Sequence, residues 1–329
     1  MPRLKTVSRD DLTIIRRRRG KGFCYLETSG QAIADKAMLA RFRHLGIPPA
    51  WREVRLAEDE LAHIQCCGTD DAGRVQYIYH PEWECTRTRR KNARLTELTR
   101  VLPRIRRRVA RDLSAEAGER DLALALAVAL IDRTAMRVGR ERYLKERGTR
   151  GAGTLYSQDV RVSGDEVFIS FPAKSGKQAE YLIRDARIAD AVTRIKTLPG
   201  RRLLTYRDAE GRVRPIKTQA INSYLRAIAG AEISGKDFRT LHASALAGEA
   251  LAQLEPAGSE AGRKRQVATV TKEVAEFLRN TPMICRKSYI APFLFVLFDK
   301  GKLREAWGAG GRRPRGRERV LGQLLEALA

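Results

Sequence analysis

The sequence predicts an α+β protein with a small β-rich N-terminal domain and a mainly α-helical C-terminal domain into which a three-stranded β-meander is inserted. Three observations support this fold class. Short strand-like runs separated by turn residues fill residues 1–86. Residues 121–132 are apolar on every side, which is typical of a helix in a protein core. Between residues 154 and 185 the helical spacing gives way to alternation of apolar and polar residues.

The N-terminal strands are predicted from aromatic and β-branched runs. These runs lie at residues 22–26, 54–56, 63–67 and 74–79. Asp70–Gly73, between the last two, is typical of a hairpin turn. A helical spacing of apolar residues extends from Ala32 to Leu45 and ends at Gly46. We therefore expect a small mixed β domain.

A strongly basic segment follows this domain. Residues 87–94 are almost wholly polar and basic, which predicts an interdomain linker, although the start of a solvated helix explains the composition equally well. The α-helical domain then extends over residues 95–305. Residues 306–329 form a tail, with a Gly/Arg-rich segment at 308–317 that we expect to be flexible and a short amphipathic helix at 320–328.

The inserted meander is defined by three alternating runs within residues 160–183. Turns at 163–165 and 172–177 separate the three strands, and the second turn places Lys174 at a hairpin tip. Helices are predicted to resume from about residue 186 to residue 300.

The charge of the chain favours a nucleic-acid partner. The 329 residues include 64 Lys and Arg against 39 Asp and Glu, a net charge of +25 that is spread along the whole length. A hydrophobic content of 43% argues against a disordered basic tail. No apolar run is long enough to span a bilayer and no signal peptide follows Met1, so we expect a cytoplasmic, nucleoid-associated protein with no membrane contact.

The cysteines and histidines give no metal signature. Five cysteines without a CxxC motif argue against a disulfide framework and favour a reducing compartment. His63, Cys66, His80 and Cys85 are conceivable zinc ligands, but their spacing matches no common zinc finger. We predict no metal site.

A tyrosine near the C-terminal end of the helical domain is the candidate nucleophile. Tyr289 follows Arg286-Lys287-Ser288, and Asn280 lies nine residues upstream. A phenol is a poor nucleophile at neutral pH, since its ordinary pKa is about 10. Fixed positive charges would have to stabilise both the phenolate and the attacked phosphate. Taken alone, a tyrosine before the apolar run at 290–298 is more often a core residue.

Three cations are candidate phosphate partners. Arg137 follows the apolar helix beside Gly139, where a backbone could approach a phosphate, although a lone arginine there is more often part of a salt bridge. The guanidinium of Arg239 could bridge two non-bridging phosphate oxygens. Lys174 could donate a proton to a leaving oxygen, with Lys177 as the neighbouring alternative.

Two further residues extend this group. His242 lies one helical turn after Arg239 and could steer it or touch phosphate, but a packed histidine is at least as good an interpretation. Thr281 and Pro282 are typical of a helix start, with Thr281 as the cap. Asn280 could then point its amide at the phosphate that Tyr289, about two turns along, would attack.

Read in order, these segments resemble the type IB DNA topoisomerases in their poxvirus-like bacterial form. The resemblance covers about residues 20 to 300 and rests on residues 46–51, 64–65, 68–70, 73–81, 137–139, the Lys174 hairpin, 237–240 and 286–289. It implies catalytic roles for Arg137, Lys174, Arg239 and Tyr289. Asn280 stands where the poxvirus pattern has histidine, so its amide could donate a hydrogen bond but carry no charge.

The resemblance also implies how the protein meets DNA. The two domains would form a clamp around duplex DNA, with Arg74, Gln76, Tyr77 and Tyr79 of the N-terminal domain against bases or phosphates. The protein would act as a monomer, without a cofactor, and relax supercoils through a 3′-phosphotyrosyl intermediate.

Two alternatives stay open. A tyrosine recombinase has a similar catalytic pattern, but it usually has histidine where this chain has Lys236. A non-enzymatic DNA-architectural protein would explain the charge and leave the ordered motifs as coincidence.

Overall fold

The boundary between the two units of the chain falls inside a long helix. The computed structural model describes residues 4–20, 22–173, 178–308 and 314–328. Its units are Met1–Lys91 and Asn92–Ala329, and helix Pro81–Asp112 contains the boundary. Residues 87–94 lie within this helix. The basic segment is therefore helical, it lies inside the helix and not at its start, and the boundary between the two units falls within it.

The N-terminal unit contains one antiparallel sheet with the strand order β2-β1-β3-β4-β5. Its strands are β1 Ile14–Arg19, β2 Gly22–Leu26, β3 Arg52–Leu56, β4 Ile64–Thr69 and β5 Val75–Tyr79. Helix α1, Lys36–His44, begins later than predicted because Asp35 caps it by accepting hydrogen bonds from two backbone N–H groups. The predicted hairpin at Asp70–Gly73 joins β4 to β5 and is confirmed.

Strand β1 is a feature that the sequence pattern did not predict. Four of its residues, Arg16–Arg19, are arginines, which hide the alternation typical of a half-buried strand. Arg16 is 8% exposed and donates hydrogen bonds to the carbonyls of Ile47, Pro48 and Trp51 at 2.9–3.2 Å. This arginine therefore anchors the loop before β3.

The second unit is mainly helical. Helix α2, Pro81–Asp112, spans the boundary, and the other helices of this unit are α3 Arg120–Thr134, α4 Glu141–Arg147, α5 Ala186–Ile195, α6 Thr218–Ala229, α7 Gly235–Gln253, α8 Glu260–Phe277, α9 Pro282–Ile284, α10 Pro292–Asp299, α11 Leu303–Trp307 and α12 Pro314–Ala327. Short 3₁₀ turns occupy Ala152–Thr154 and Ser157–Asp159. Within the described part of the chain, no helix has the length and apolar character that crossing a membrane requires.

The predicted core helix and meander are both present. Helix α3 is buried on every side, as its apolar run predicts. The meander consists of β6 Val160–Ser163, β7 Glu166–Pro172 and β8 Gln178–Arg184 in the order β6-β7-β8. A second small hairpin, β9 Thr205–Arg207 with β10 Val213–Pro215, interrupts the region that was predicted to be wholly helical.

The C-terminal helix is a part of the core and not a loose tail. Val320, Leu321 and Leu325 of α12 are at most 5% exposed and belong to the main hydrophobic cluster of the unit. Gly322 lies so close to Thr99 on α2 that an added Cβ would meet its side chain at 2.8 Å. The expectation of flexibility for 308–317 is wrong for residues 314–317, which are helical; residues 309–313 lie outside the described ranges.

Candidate active site

A π-helical turn carries Tyr289. Thr281 caps α9 by accepting a hydrogen bond from the N–H of Ile284, as predicted. The chain then continues as a π-helical turn, Cys285–Tyr289, closed by a 3.0 Å hydrogen bond from the N–H of Ile290 to the carbonyl of Cys285. The approach to Tyr289 is therefore not the regular α-helix that the sequence suggested. Single π turns within helices are frequent at functional sites.

Ser244 on α7 fixes the backbone around this tyrosine. Its buried hydroxyl donates to the carbonyl of Tyr289 at 3.1 Å and accepts from the N–H of Ala291 at 3.0 Å. The two hydrogen bonds hold the backbone at residues 289 and 291, and the half-buried phenol of Tyr289 takes no part in them.

Arg239 on α7 reaches the same place from the core. It is 3% exposed, donates to the carbonyls of Ala135 and Leu278 (the latter at 2.9 Å), and its guanidinium carbon lies 5.0 Å from the centroid of the Tyr289 ring. Its Nε has no hydrogen-bond partner among the described residues. Arg239 and Tyr289, 50 positions apart in the sequence, are thus neighbours.

Arg137 adds a second cation to the site. It follows α3 directly, and its half-buried guanidinium has no hydrogen-bond or ion-pair partner within the described ranges. Burial lowers the pKa of Arg137 and the charge of Arg239 lowers it further, while the phenols of Tyr289 and Tyr181 act in the opposite direction. Arg137, Arg239 and Tyr289 therefore form one electrostatic group.

The glycines near Arg137 have a structural explanation. Gly139 has a φ of +84°, and a Cβ added to it would meet the hydroxyl of Thr154 at 2.5 Å. The backbones of residues 137–139 and 151–153 touch, with the N–H of Ala152 donating to the carbonyl of Arg137 at 2.9 Å. The close backbone approach predicted at Gly139 is therefore made by another segment of the chain.

Asn280 and Lys174 complete the predicted set. The side-chain oxygen of Asn280 accepts from the N–H of Thr281 at 3.1 Å, and its amide NH₂ has no protein partner in the described part of the chain. That amide is a free donor on the turn that leads to Tyr289. Lys174 and its alternative Lys177 lie outside the described residues, which include the flanking strands β7 and β8.

Within the described ranges, no acidic side chain neutralises the charge of Arg137 or Arg239. Among the described residues, no carboxylate forms an ion pair with Arg137 or Arg239. The groups that shift the pKa of Arg137 are an arginine, two tyrosines and a cysteine. A buried charge needs a partner to be tolerated. The arrangement can bind an anion such as a phosphodiester next to a phenol.

His242 is buried away from this group. It is 6% exposed, and its ring nitrogens lie 3.6 Å from carboxylate oxygens of Asp132 and Glu318. Contact with a phosphate is therefore the wrong interpretation, and the packed histidine is the right one. Asp132, His242 and Glu318 could offer ligand atoms to a metal. However, the guanidinium of Arg106 already hydrogen-bonds to both carboxylates at 2.7–3.0 Å, which fits a metal site poorly.

The candidate DNA contacts of the N-terminal unit divide between two faces of β5. Tyr77 and Tyr79 share one face, with ring centroids 6.0 Å apart, whereas Gln76 between them points to the other face. Gln76 and Arg74 both donate to Asp70, at 2.8 and 2.9 Å. The hydrogen bond from Arg74 is the main reason that the pKa of Asp70 falls to about 2. Gln76 and the two tyrosines therefore lie on opposite faces of β5, and contact of Arg74, Gln76, Tyr77 and Tyr79 with DNA stays a prediction.

Sequence reasoning missed Ser244, Tyr181 and Arg279. Tyr181 on β8 acts electrostatically on Arg137, and the guanidinium of Arg279 lies 4.9 Å from the centroid of the Tyr181 ring. A serine inside a helix, a tyrosine in a strand and an arginine after a helix carry no local signal of such roles.

Comparison with known proteins places this chain among DNA topoisomerases. Residues 81–291 match the family model of the eukaryotic DNA topoisomerase I catalytic core, and residues 22–70 match that of the bacterial DNA topoisomerase IB N-terminal domain. DNA topoisomerase 1B of Acanthamoeba polyphaga mimivirus is 27% identical over 293 residues, which cover 87% of each chain. DNA topoisomerase 1B of Vaccinia virus (strain Copenhagen) is 25% identical over 145 residues, 43% of this chain and 46% of its own length.

The matches define a class of DNA-acting protein, the topoisomerases. Because the first model covers most of the chain, the chain belongs to the type IB DNA topoisomerase family. Family membership favours the topoisomerase over the recombinase and over an architectural protein.

Proposed function

We propose that this protein relaxes supercoiled duplex DNA by transient cleavage of one strand, with Tyr289 as the nucleophile. The Tyr289 oxygen bonds to a backbone phosphorus as the bond from phosphorus to the 5′ oxygen breaks. The products are a 3′-phosphotyrosyl link and a free 5′-hydroxyl. Reversal of the same step reseals the strand. Because the link retains a phosphodiester, resealing needs no ATP.

The observation that carries the proposal is a phenol beside two arginines that have no acidic counter-charge in the described part of the chain. The scissile phosphate supplies the missing negative charge and gains more as the pentavalent transition state forms. Arg137 and Arg239 then stabilise that charge on its non-bridging oxygens. The free amide of Asn280 donates a further hydrogen bond.

The leaving oxygen needs a proton. We assign this role to Lys174 on the strength of its place between β7 and β8 in the sequence and of the family resemblance, with Arg137 as a helper. Since cationic donors supply the stabilisation that a metal could give, we expect turnover without a divalent cation. Enclosure of the duplex by the two units and a monomeric state both stay predictions.

The test is relaxation of a supercoiled plasmid in the presence of a chelator, for wild type and Tyr289→Phe. Wild type should relax positive and negative supercoils and form a covalent adduct with DNA. Tyr289→Phe should bind DNA with unchanged affinity and form no adduct, since it lacks only the attacking oxygen. Tyr143→Phe, which alters an exposed tyrosine of helix α4, is the matched control and should behave as wild type.

Two results would overturn the proposal. Relaxation by Tyr289→Phe at the wild-type rate would exclude this nucleophile. A strict need of the wild type for magnesium in every turnover would exclude the metal-free mechanism even if the tyrosine is correct.

A further inference from the structure

The turn that precedes Asn280 has an unusual residue at its key position. Helix α8 ends in a Schellman motif, in which the N–H of Arg279 donates to the carbonyl of Glu276 at 3.0 Å and the N–H of Asn280 to that of Ala275 at 2.9 Å. Arg279 has a φ of +50°, which is left-handed backbone. Glycine or asparagine usually fills this position, because a larger side chain is strained there.

The side chain of Arg279 has a contact that glycine could not make. Its guanidinium donates a hydrogen bond to the carbonyl of Glu180 on β8 and lies 4.9 Å from the centroid of the Tyr181 ring. A strained residue with a specific contact near a functional site suggests that the contact has a use.

The partner of Arg279 belongs to the active-site wall. Tyr181 pairs with Ile169 on the core face of the meander and stacks near Phe171, at a centroid distance of 6.1 Å. Its phenol is one of the groups that shift the pKa of Arg137. On the other side of the turn, the carbonyl of Leu278 accepts a hydrogen bond from Arg239. Residues 278–280 are thus held by Arg239 on one side and by β8 on the other.

We propose that Arg279 is a positioning residue that ties the Asn280 turn to β8 and so aims the Asn280 amide at the scissile phosphate. This inference rests on the proposed function and adds a residue outside the expected catalytic set. Arg279 acts through Asn280, and it need not touch DNA. The contact of Arg279 also links the Asn280 turn to β8, the strand that follows residues 174–177 in the chain.

The test uses Arg279→Asn, because asparagine tolerates left-handed backbone but is too short to reach β8. Single-turnover cleavage should slow about tenfold, which corresponds to about 1.4 kcal/mol in the barrier. The affinity for duplex DNA and the melting temperature should stay near the wild-type values. Arg279→Gly, which also accepts the backbone, should reproduce the result. Arg161→Ala removes a similar arginine–aromatic pair elsewhere on the meander and serves as the matched control.

A double-mutant cycle separates positioning from a merely structural role. If Arg279 acts through Asn280, then Arg279→Asn should slow cleavage little further in an Asn280→Ala background. Additive losses, or wild-type cleavage by Arg279→Asn, would overturn the inference while leaving the proposed function intact. Absence of a Tyr289 adduct in the wild type would instead defeat the proposed function and this inference with it.

Discussion

The helical unit contains two sets of buried or half-buried arginine side chains with opposite surroundings. Arg106 on α2 donates two hydrogen bonds to Asp132 on α3, both at 2.8 Å, and two to Glu318 on α12, at 2.7 and 3.0 Å. Arg137 and Arg239 have no carboxylate partner among the described residues. Burial by itself would lower the pKa of Arg106, but the two carboxylates outweigh it and raise that pKa, whereas burial lowers the pKa of Arg137.

The difference shows which arginine charges are balanced by the protein's own carboxylates and which remain available to bind a ligand. Burying a charge without a counter-charge costs free energy. Two arginines that have no carboxylate partner in the described part of the chain must therefore be retained for another reason. Next to Tyr289, the proposed function supplies that reason in the form of an incoming phosphate. In the Arg106 cluster, two carboxylates outnumber the single guanidinium, so this arginine joins three helices and has no free charge with which to bind an anion.

The largest effect should come from Arg106→Met, which would test the structural half of this comparison. Loss of the guanidinium leaves Asp132 and Glu318 buried without a cation, and breaking a buried pair in this way destabilises a protein by about 3–5 kcal/mol. Urea unfolding should show the loss directly. The triple change Arg106→Met, Asp132→Asn and Glu318→Gln should recover part of it, because no unpaired charge is left. Unchanged stability in the single variant would mean that the cluster is not structural.

Arg137→Met should show the reverse pattern. Because the guanidinium has no protein partner in the described ranges, its removal should leave the free energy of unfolding unchanged or raise it. Cleavage should slow by about 10²–10³-fold, the usual result of removing one donor to a transition-state anion. Single-turnover cleavage and urea unfolding of the same sample measure both. If Arg137→Met instead lost much stability and cleaved normally, Arg137 would be a structural arginine like Arg106, and the comparison would be wrong.

A smaller effect is expected in the pH dependence of stability. Burial would raise the pKa of Asp132, but the hydrogen bonds and charge of Arg106 outweigh it and hold that pKa well below the usual range. A depressed carboxylate pKa gives stability that is present above the unfolded-state value, about 3.9, and is lost as the pH falls towards the folded-state value. The stability gap between wild type and Asp132→Asn should therefore be widest near neutral pH and narrow below about pH 4. A gap that stays constant into acid would contradict the assigned charge state.

Much of the fold was predictable because its signals are local. The run at 121–132, apolar on every side, predicted helix α3, and the alternation of apolar and polar residues at 160–183 predicted the meander. Strand β1 was missed because a run of four arginines is typical of a solvent-exposed segment. Only the structure shows that Arg16 donates hydrogen bonds to three backbone carbonyls. The packing of α12 was missed because its contacts are remote: Arg106 and Glu318 are 212 positions apart.

The candidate site was predictable as a set of residues but not as a geometry. Motifs in order pointed to Arg137, Arg239, Asn280 and Tyr289. Their contacts depend on features without a sequence signature, such as the π turn before Tyr289 and the left-handed backbone of Ala135, whose carbonyl accepts from Arg239. His242 shows the opposite failure: one helical turn from Arg239 on α7, it nevertheless faces Asp132 and Glu318.

The two hydrogen bonds of Ser244 have a mechanical meaning. Under the proposed mechanism, the phosphotyrosyl link would be the only covalent bond between protein and DNA while a cut strand rotates, so torque on the DNA would pull on the backbone of Tyr289. Ser244 joins that backbone, at residues 289 and 291, to helix α7, whose Phe238, Leu241 and Leu251 are fully buried. The load would then pass into a helix that is packed in the buried core of the unit, and the short π turn would carry less of the tension.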